Sequence, residues 1–267
     1  MEGQRVTNPV AIIVGHGTRE AQGIAEFNAF ANAVVRHVER SWHGPQITFD
    51  RAFLELASPS IQEAVARCKE VKASHVVLVP LMLLSAQHMK VDIPAILADA
   101  RNTLPYARLS LLQAINVDSD FVQVGFMRLI GAGFSPDQPK TAVVLVGRGS
   151  RDEAAIANFG RIASALGQQV RQTIVEPGFL TGIGPSLESA LSTCVAAGAQ
   201  HIFAVPYLWF YGYLVKNLPK RIAQWQTTCP DLRVNIASHL GLDQRLVQNV
   251  SSRLQIKLQG LLLASNI

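Results

Sequence analysis

The sequence is poor in cysteine, in aromatic residues and in charge. Its 267 residues include only 3 cysteines, while 7% are aromatic and 16% are charged. Cys68, Cys194 and Cys229 lie far apart and form no CxxC pair, so their spacing fits neither a zinc ribbon nor an iron–sulfur cluster. We expect three free thiols, as is usual for proteins of a reducing compartment.

Long apolar runs are also missing. No run approaches the roughly 18 apolar residues that a membrane-spanning helix needs, so the sequence predicts no such helix and no membrane partner. The first nine residues, "MEGQRVTNP", lack the apolar core of a secretory signal peptide. We therefore expect a cytoplasmic protein.

Acidic residues are fewer than basic ones. Lys and Arg outnumber Asp and Glu by 24 to 19, which gives a net charge of +5. This surplus is compatible with nucleic acid, but the sequence contains no basic stripe, zinc finger or helix-turn-helix motif, and we expect no nucleic-acid partner. A small polyanionic ligand would be attracted equally well.

Apolar β-branched runs alternate with longer amphipathic stretches along the chain, and the hydrophobic content is 49%. In the first half, strands are predicted at 10–14, 47–53, 75–80 and 108–113, with helices around 20–40, 60–72, 87–101 and 119–129. In the second half, strands are predicted near 141–146, 172–177, 201–206 and 234–238, each followed by a helix. This order is typical of a parallel sheet with helices on both faces.

The two halves match each other at three places, in the same order. "IIVGHGTRE" (12–20) corresponds to "VLVGRGSRD" (144–152), and "FLELASPSI" (53–61) to "FLTGIGPSL" (179–187). "VPLMLLSAQHMKVDIP" (79–94) corresponds to "VPYLWFYGYLVKNLP" (205–219), which is one residue shorter. The Gly- and Pro-rich stretch 131–140 is typical of a linker. We predict an α/β protein of two duplicated (βα)4 parallel-sheet half-domains, 1–133 and 141–267, which face each other across a cleft.

Chemistry-bearing side chains follow the first three strands of the first half only. Ligands of open parallel sheets bind beyond the carboxyl ends of the strands, where His16, Glu55 and His88 are expected. Two imidazoles and a carboxylate suit a borderline divalent metal. The corresponding positions of the second half are Arg148, Gly182 and Leu214. We therefore predict a single metal site on the N-terminal half, with the degenerate C-terminal half as the other wall of the cleft.

The histidines and the glycine-rich turn are also compatible with roles other than metal binding. The GHGTRE stretch resembles a phosphate-binding loop, although it lacks the third glycine of GxGxxG and the GK[ST] of a P-loop. A lone histidine is more often structural than a ligand. The remaining histidines are expected to be structural or exposed to solvent: His37, His43, His75, His201 and His239.

Taken together, these motifs resemble the class II sirohydrochlorin chelatases of the CbiX/SirB type, over nearly the whole chain. The resemblance rests on GHGTR, the FLE segment, the segment from VPL to H-xxx-DIP, and the GRGS copy in the second half. It implies an enzyme that inserts Fe²⁺ or Co²⁺ into the tetrapyrrole sirohydrochlorin, for siroheme or cobalamin biosynthesis, without an organic cofactor. It also implies that His16 and His88 are the metal-handling and catalytic pair, with Glu55 close by.

Four further residues are candidates for substrate binding. Arg19 and Lys90 are expected to attract the carboxylates of sirohydrochlorin, although solvated surface charge explains them equally well. Trp209 and Tyr211, in "YLWFYGYL" (207–214), are expected to lie against the macrocycle, with packing between the halves as the alternative.

Two other functions remain open at this point. A metal or tetrapyrrole carrier on the same scaffold would hold its ligand without turnover, and a flavodoxin-like protein would bind phosphate or nucleotide. The ligand set accepts Fe²⁺, Co²⁺, Ni²⁺ or Zn²⁺, so it leaves the metal open. Because the duplication lets one chain complete the cleft, we expect a monomer.

Overall fold

The structure is a computed structural model that describes residues 8–171 and 173–264. It contains two four-stranded parallel sheets. The strands are β1 (Pro9–Gly15), β2 (Thr48–Phe53), β3 (His75–Pro80), β4 (Arg108–Leu111), β5 (Thr141–Gly147), β6 (Ile174–Phe179), β7 (His201–Pro206) and β8 (Arg233–Ile236). The predicted start of β6, Gln172, lies outside the described residues. So do residues 1–7, on which most of the signal-peptide prediction rests.

The two sheets have the same strand order, which confirms the predicted duplication. The orders are β2-β1-β3-β4 and β6-β5-β7-β8, and all neighbouring strands are parallel. Their registers also match, since Val14 pairs with Ala52 and Pro80 where Val146 pairs with Gly178 and Pro206. The predicted α/β fold class is therefore correct, and the cleft between the halves stays a prediction.

The helices follow the strands as the sequence predicts. They are α1 (Ala21–Ser41), α2 (Ile61–Glu70), α3 (Ile93–Thr103), α4 (Ser119–Gly131), α5 (Glu153–Gln169), α6 (Leu187–Ala196), α7 (Tyr213–Gln226) and α8 (Gln244–Leu263). Four of the helices have an N-cap residue whose side chain accepts a hydrogen bond from a free N–H group of the first turn: Ser60, Asp118, Asp152 and Ser186.

One predicted helix differs from the expectation. Instead of an α-helix over 87–101, the structure has a π-helical turn at His88–Asp92, which leads directly into α3. The N–H of Ile93 donates to the carbonyl of His88, five residues earlier, where an α-helix would bond over four residues. Periodicity did not predict this turn because a single wide turn hardly changes the apolar pattern.

The core of each sheet lies along its central strands. Every residue of β1 and of β5 is buried, which explains why these strands are continuous apolar runs rather than alternating ones. On one face of the first sheet, Ile12 and Val14 pack with Ile61 of α2 and Ile93 of α3. The loops at the strand ends therefore start from a rigid base.

The chain forms two compact units whose limits differ from the predicted domains 1–133 and 141–267. The first unit consists of the described parts of Met1–Ala114 and Val247–Ile267, and the second is Ile115–Leu246. Helix α4 thus belongs to the second unit, where it packs against α5 and β7, and most of α8 belongs to the first. In the first unit, Arg253 of α8 donates to the carbonyls of Gln113 and Ala114. In sequence order α4 follows the strands of the first sheet and α8 those of the second, so the limits of the compact units do not follow the order of the chain.

The cysteines agree with the sequence analysis. Cys68, Cys194 and Cys229 are free thiols. Burial raises the pKa of Cys68 to about 11 and that of Cys194 to about 12, because a thiolate is poorly solvated inside a core. Among the described residues, no helix is both long and apolar enough to cross a membrane.

Candidate functional site

The first site residues meet where β1 and β2 end. The carbonyl of Gly15 accepts a hydrogen bond from the N–H of Leu54 (2.9 Å), and that of His16 accepts one from Glu55 (3.0 Å). The segments that follow β1 and β2 therefore stay paired for two residues beyond Phe53, where β2 ends. This pairing brings the side chains together, with His16 Nε2 lying 3.4 Å from Glu55 Oε1.

His88 reaches the same place from the end of β3. The N–H of Leu81 donates to the carbonyl of Val14 (2.8 Å), which keeps the start of the following loop beside β1. The loop then enters the π-helical turn, where the buried side chain of Met89 joins the core and His88 lies on the outer side. The rings of His16 and His88 are 5.0 Å apart and almost perpendicular.

The three side chains form a group that fits a divalent metal ion. His16, Glu55 and His88 each offer one ligand atom, and these atoms lie within 4.8 Å of one another. The imidazoles are 28% and 26% exposed and the carboxylate 45%, so the group lies at the surface of the first unit. Two nitrogens and one oxygen leave coordination positions open, as a site that exchanges its metal or other ligands requires.

The second copy keeps the backbone of this loop but not its ligands. The N–H and the hydroxyl of Thr181 both donate to the carbonyl of Arg148, at 2.9 and 2.8 Å. Thr181 is therefore the counterpart of Glu55, and the predicted pairing of Glu55 with Gly182 is wrong by one residue. Gly182 instead matches Leu56, since both have a positive φ, 79° and 62°.

The other two counterparts are as predicted. Arg148 is exposed in the place of His16, and Leu214 packs against the core of the second unit in the place of His88. Within residues 8–171 and 173–264, His16, Glu55 and His88 form the only group of three or more such side chains that could hold a metal ion. In the part of the chain that the structure describes, the duplicated scaffold thus carries one candidate metal site.

Two of the predicted substrate-binding residues lie in the same unit as this group. Arg19 is exposed three residues after His16, and Lys90 is exposed two residues after His88. Both come from the segments that carry His16 and His88. Their binding role stays a prediction.

The predicted aromatic contacts belong to the second unit. Trp209 is only 5% exposed, and its ring packs edge-on against Phe121 of α4, with centroids 5.0 Å apart. Most of the indole is thus used in packing, which leaves little of its surface for a ligand. Tyr211 is partly buried, 6.4 Å from the ring of His239.

Sequence analysis missed Asp92. Its carboxylate oxygen Oδ2 lies 2.7 Å from Nδ1 of His88, across the π-helical turn. The acid is part of the "HMKVDIP" segment, four residues after the histidine, and that spacing was the one available indication of a contact. Its position at the site depends on the turn that periodicity did not predict.

Comparison with known proteins gives relatives over most of the chain. A sirohydrochlorin cobaltochelatase of Priestia megaterium is 27% identical over 252 residues, which are 93% of this chain and 80% of that protein. A sirohydrochlorin ferrochelatase of Bacillus subtilis (strain 168) is 30% identical over 230 residues, 86% of this chain and 84% of that protein. The solved structure of SirB from Bacillus subtilis with Fe³⁺ matches with a TM-score of 0.77 at 28% identity, covering 93% and 95% of the two chains.

The family assignment covers both halves of the repeat. The family model described as CbiX matches residues 10–131 and again 142–257. These two matches together take in the candidate metal site and its degenerate copy. The chain belongs to the CbiX family.

Proposed function

We propose that this protein is a sirohydrochlorin chelatase, which inserts Fe²⁺ or Co²⁺ into sirohydrochlorin. The observation that carries this proposal is the meeting of His16, Glu55 and His88 at one sheet edge, in one copy of the repeat. Relatives named as sirohydrochlorin ferrochelatase and cobaltochelatase support the choice of substrate. No organic cofactor is required.

The chemistry of insertion matches these side chains. The metal ion is a substrate, and it must exchange its ligands for the four nitrogens of the macrocycle while two N–H protons leave. His16 and His88 bind the ion through imidazole nitrogens, and Glu55 adds a carboxylate oxygen. An imidazole nitrogen that has released the ion regains its lone pair and can accept a proton from the macrocycle, so the same side chain serves first as ligand and then as base.

Charge around the group suits a polyanionic substrate. Arg19 and Lys90 extend into solvent from the two segments that carry the imidazoles. We propose that they contact carboxylates at the rim of the macrocycle, because charge-assisted hydrogen bonds to carboxylates are the strongest of the polar contacts.

One assay tests the proposal. The protein, sirohydrochlorin and Fe²⁺ or Co²⁺ are mixed without oxygen, and the visible spectrum is followed over time. We expect sub-stoichiometric protein to convert many equivalents of sirohydrochlorin, faster than the metal alone does. Conversion that stops at one equivalent per protein would indicate a carrier, and a rate equal to that of free metal would contradict the proposal.

A further inference from the structure

Asp92 contacts His88 at the candidate metal site. Its Oδ2 lies 2.7 Å from Nδ1 of the imidazole. The two residues are the first and the last of the π-helical turn His88–Asp92. We propose that Asp92 is a positioning residue, which keeps the proton of His88 on Nδ1 and directs Nε2 toward the metal. This inference rests on the proposed function, because it takes His88 as a ligand.

The contact depends on one extra residue in the first copy of the repeat. His88 and Leu214 both lie eight positions after the last residue of their strands, Pro80 and Pro206. Pro94 then follows His88 by six positions, whereas Pro219 follows Leu214 by five. The extra residue therefore lies within 89–93, where the wide turn is found.

The wide turn changes the spacing between histidine and acid. In the second copy, Asn217 lies two residues before Pro219. In the first copy, Asp92 lies two residues before Pro94. Asn217 lies three residues after Leu214 in the α-helix α7, and its side-chain amide donates to the carbonyl of Tyr213. In the first copy the acid lies four residues after the histidine, and the π turn brings the two side chains together.

A carboxylate in this position has two effects on an imidazole ligand. It accepts the proton on Nδ1, which leaves the lone pair of Nε2 for the metal, and it raises the basicity of the ring as a ligand. Such partners of metal-bound histidines change metal affinity by roughly 10- to 100-fold when removed.

The test measures metal affinity and the His88 tautomer rather than turnover. Co²⁺ is titrated into the full-length, metal-free protein and followed by its visible absorption, and ¹⁵N NMR of the histidine ring records which nitrogen carries the proton. For Asp92→Ala we expect a Kd about 10- to 100-fold higher and a mixed tautomer. Asp92→Asn keeps an acceptor without the charge, so we expect it to retain the Nδ1–H tautomer with a smaller loss of affinity.

Two controls separate the outcomes. Asp99→Ala removes an exposed acid from α3, the helix that directly follows the π turn, and is expected to leave both the Co²⁺ affinity and the His88 tautomer unchanged. His88→Ala is expected to lose Co²⁺ binding at this group. If His88→Ala weakens binding while Asp92→Ala matches the wild type in affinity and tautomer, the positioning role is overturned and the proposed function stands. If His88→Ala binds Co²⁺ as the wild type does, both are overturned.

Discussion

Gly17 lies directly against the backbone carbonyl of Glu55. A Cβ on residue 17 would stand 1.7 Å from that oxygen, and the φ of Gly17 is +98°, a conformation that L side chains rarely adopt. Gly15, on the other side of His16, lies so close to the ring of Phe27 that a Cβ would be 2.9 Å away. The histidine stands between two glycines because the chain on either side has no room for a side chain.

Replacing Gly17 should therefore damage the metal site directly. In Gly17→Ala the methyl group must push back the Glu55 backbone, and the positive φ alone costs about 1–2 kcal/mol. We expect a lower unfolding temperature together with much weaker Co²⁺ binding, measured by thermal unfolding and by titration.

The second copy provides the matched control for this change. A Cβ on Gly149 would stand 1.7 Å from the carbonyl oxygen of Thr181, at a φ of +94°. Gly149→Ala should lower stability to a similar extent and leave Co²⁺ affinity intact. Equal losses of affinity in both variants would show that the effect comes from general destabilisation.

Removing either imidazole should abolish most of the insertion activity. In the proposed mechanism, ligand exchange and proton acceptance both depend on His16 and His88, and groups of this kind contribute about 100-fold or more to a rate. Both side chains are partly exposed, so we expect His16→Ala and His88→Ala to fold normally by circular dichroism.

The corresponding positions of the second copy serve as controls. Arg148→Ala and Leu214→Ala should keep far more activity, because these residues are not ligands. Leu214 packs against the core of its unit, and its variant needs a check of folding before rates are compared. Full activity in His16→Ala and His88→Ala would place the chemistry elsewhere.

Substrate capture should depend on ionic strength. The protein has a net charge of +5, and sirohydrochlorin is a polyanion. Raising salt from about 0.1 M to 1 M shortens the screening length from about 10 Å to about 3 Å, which weakens attraction between exposed charges. We expect KM to rise with salt while kcat changes little. A KM that does not change with salt would mean that charge has little part in capture.

Buried His75 should make the fold sensitive to acid. Burial lowers its pKa, and the positive charge of Arg108 lowers it further. Below the unfolded-state value of about 6.5, the unfolded chain binds the proton more readily than the folded one, so stability falls as the pH falls. One such group changes the free energy of unfolding by at most about 1.4 kcal/mol per pH unit.

Chemical denaturation between pH 7.5 and 5 checks this expectation. The wild type should lose free energy of unfolding as the pH decreases from about 6.5, and His75→Gln should show a flatter curve. Identical curves for both proteins would rule out a contribution from His75.

Much of the protein follows from the amino-acid sequence alone. The apolar β-branched runs predict the strands, because the central strands of a parallel sheet are buried on both faces and need apolar side chains at every position. Parallel strands bring their carboxyl ends to one edge, so the proximity of His16, Glu55 and His88 could be predicted from where the strands end. The internal repeat indicated that the second copy lacks the ligands.

Only the tertiary structure decided the features that depend on distant or irregular contacts. Helix α4 belongs to the second unit and most of α8 to the first, since each helix packs on a surface that its position in the chain does not reveal. Trp209 is buried against Phe121, a contact that joins residues far apart in sequence. Asp92 reaches His88 because one extra residue forms a π turn, and a local periodicity cannot distinguish that turn from a regular helix.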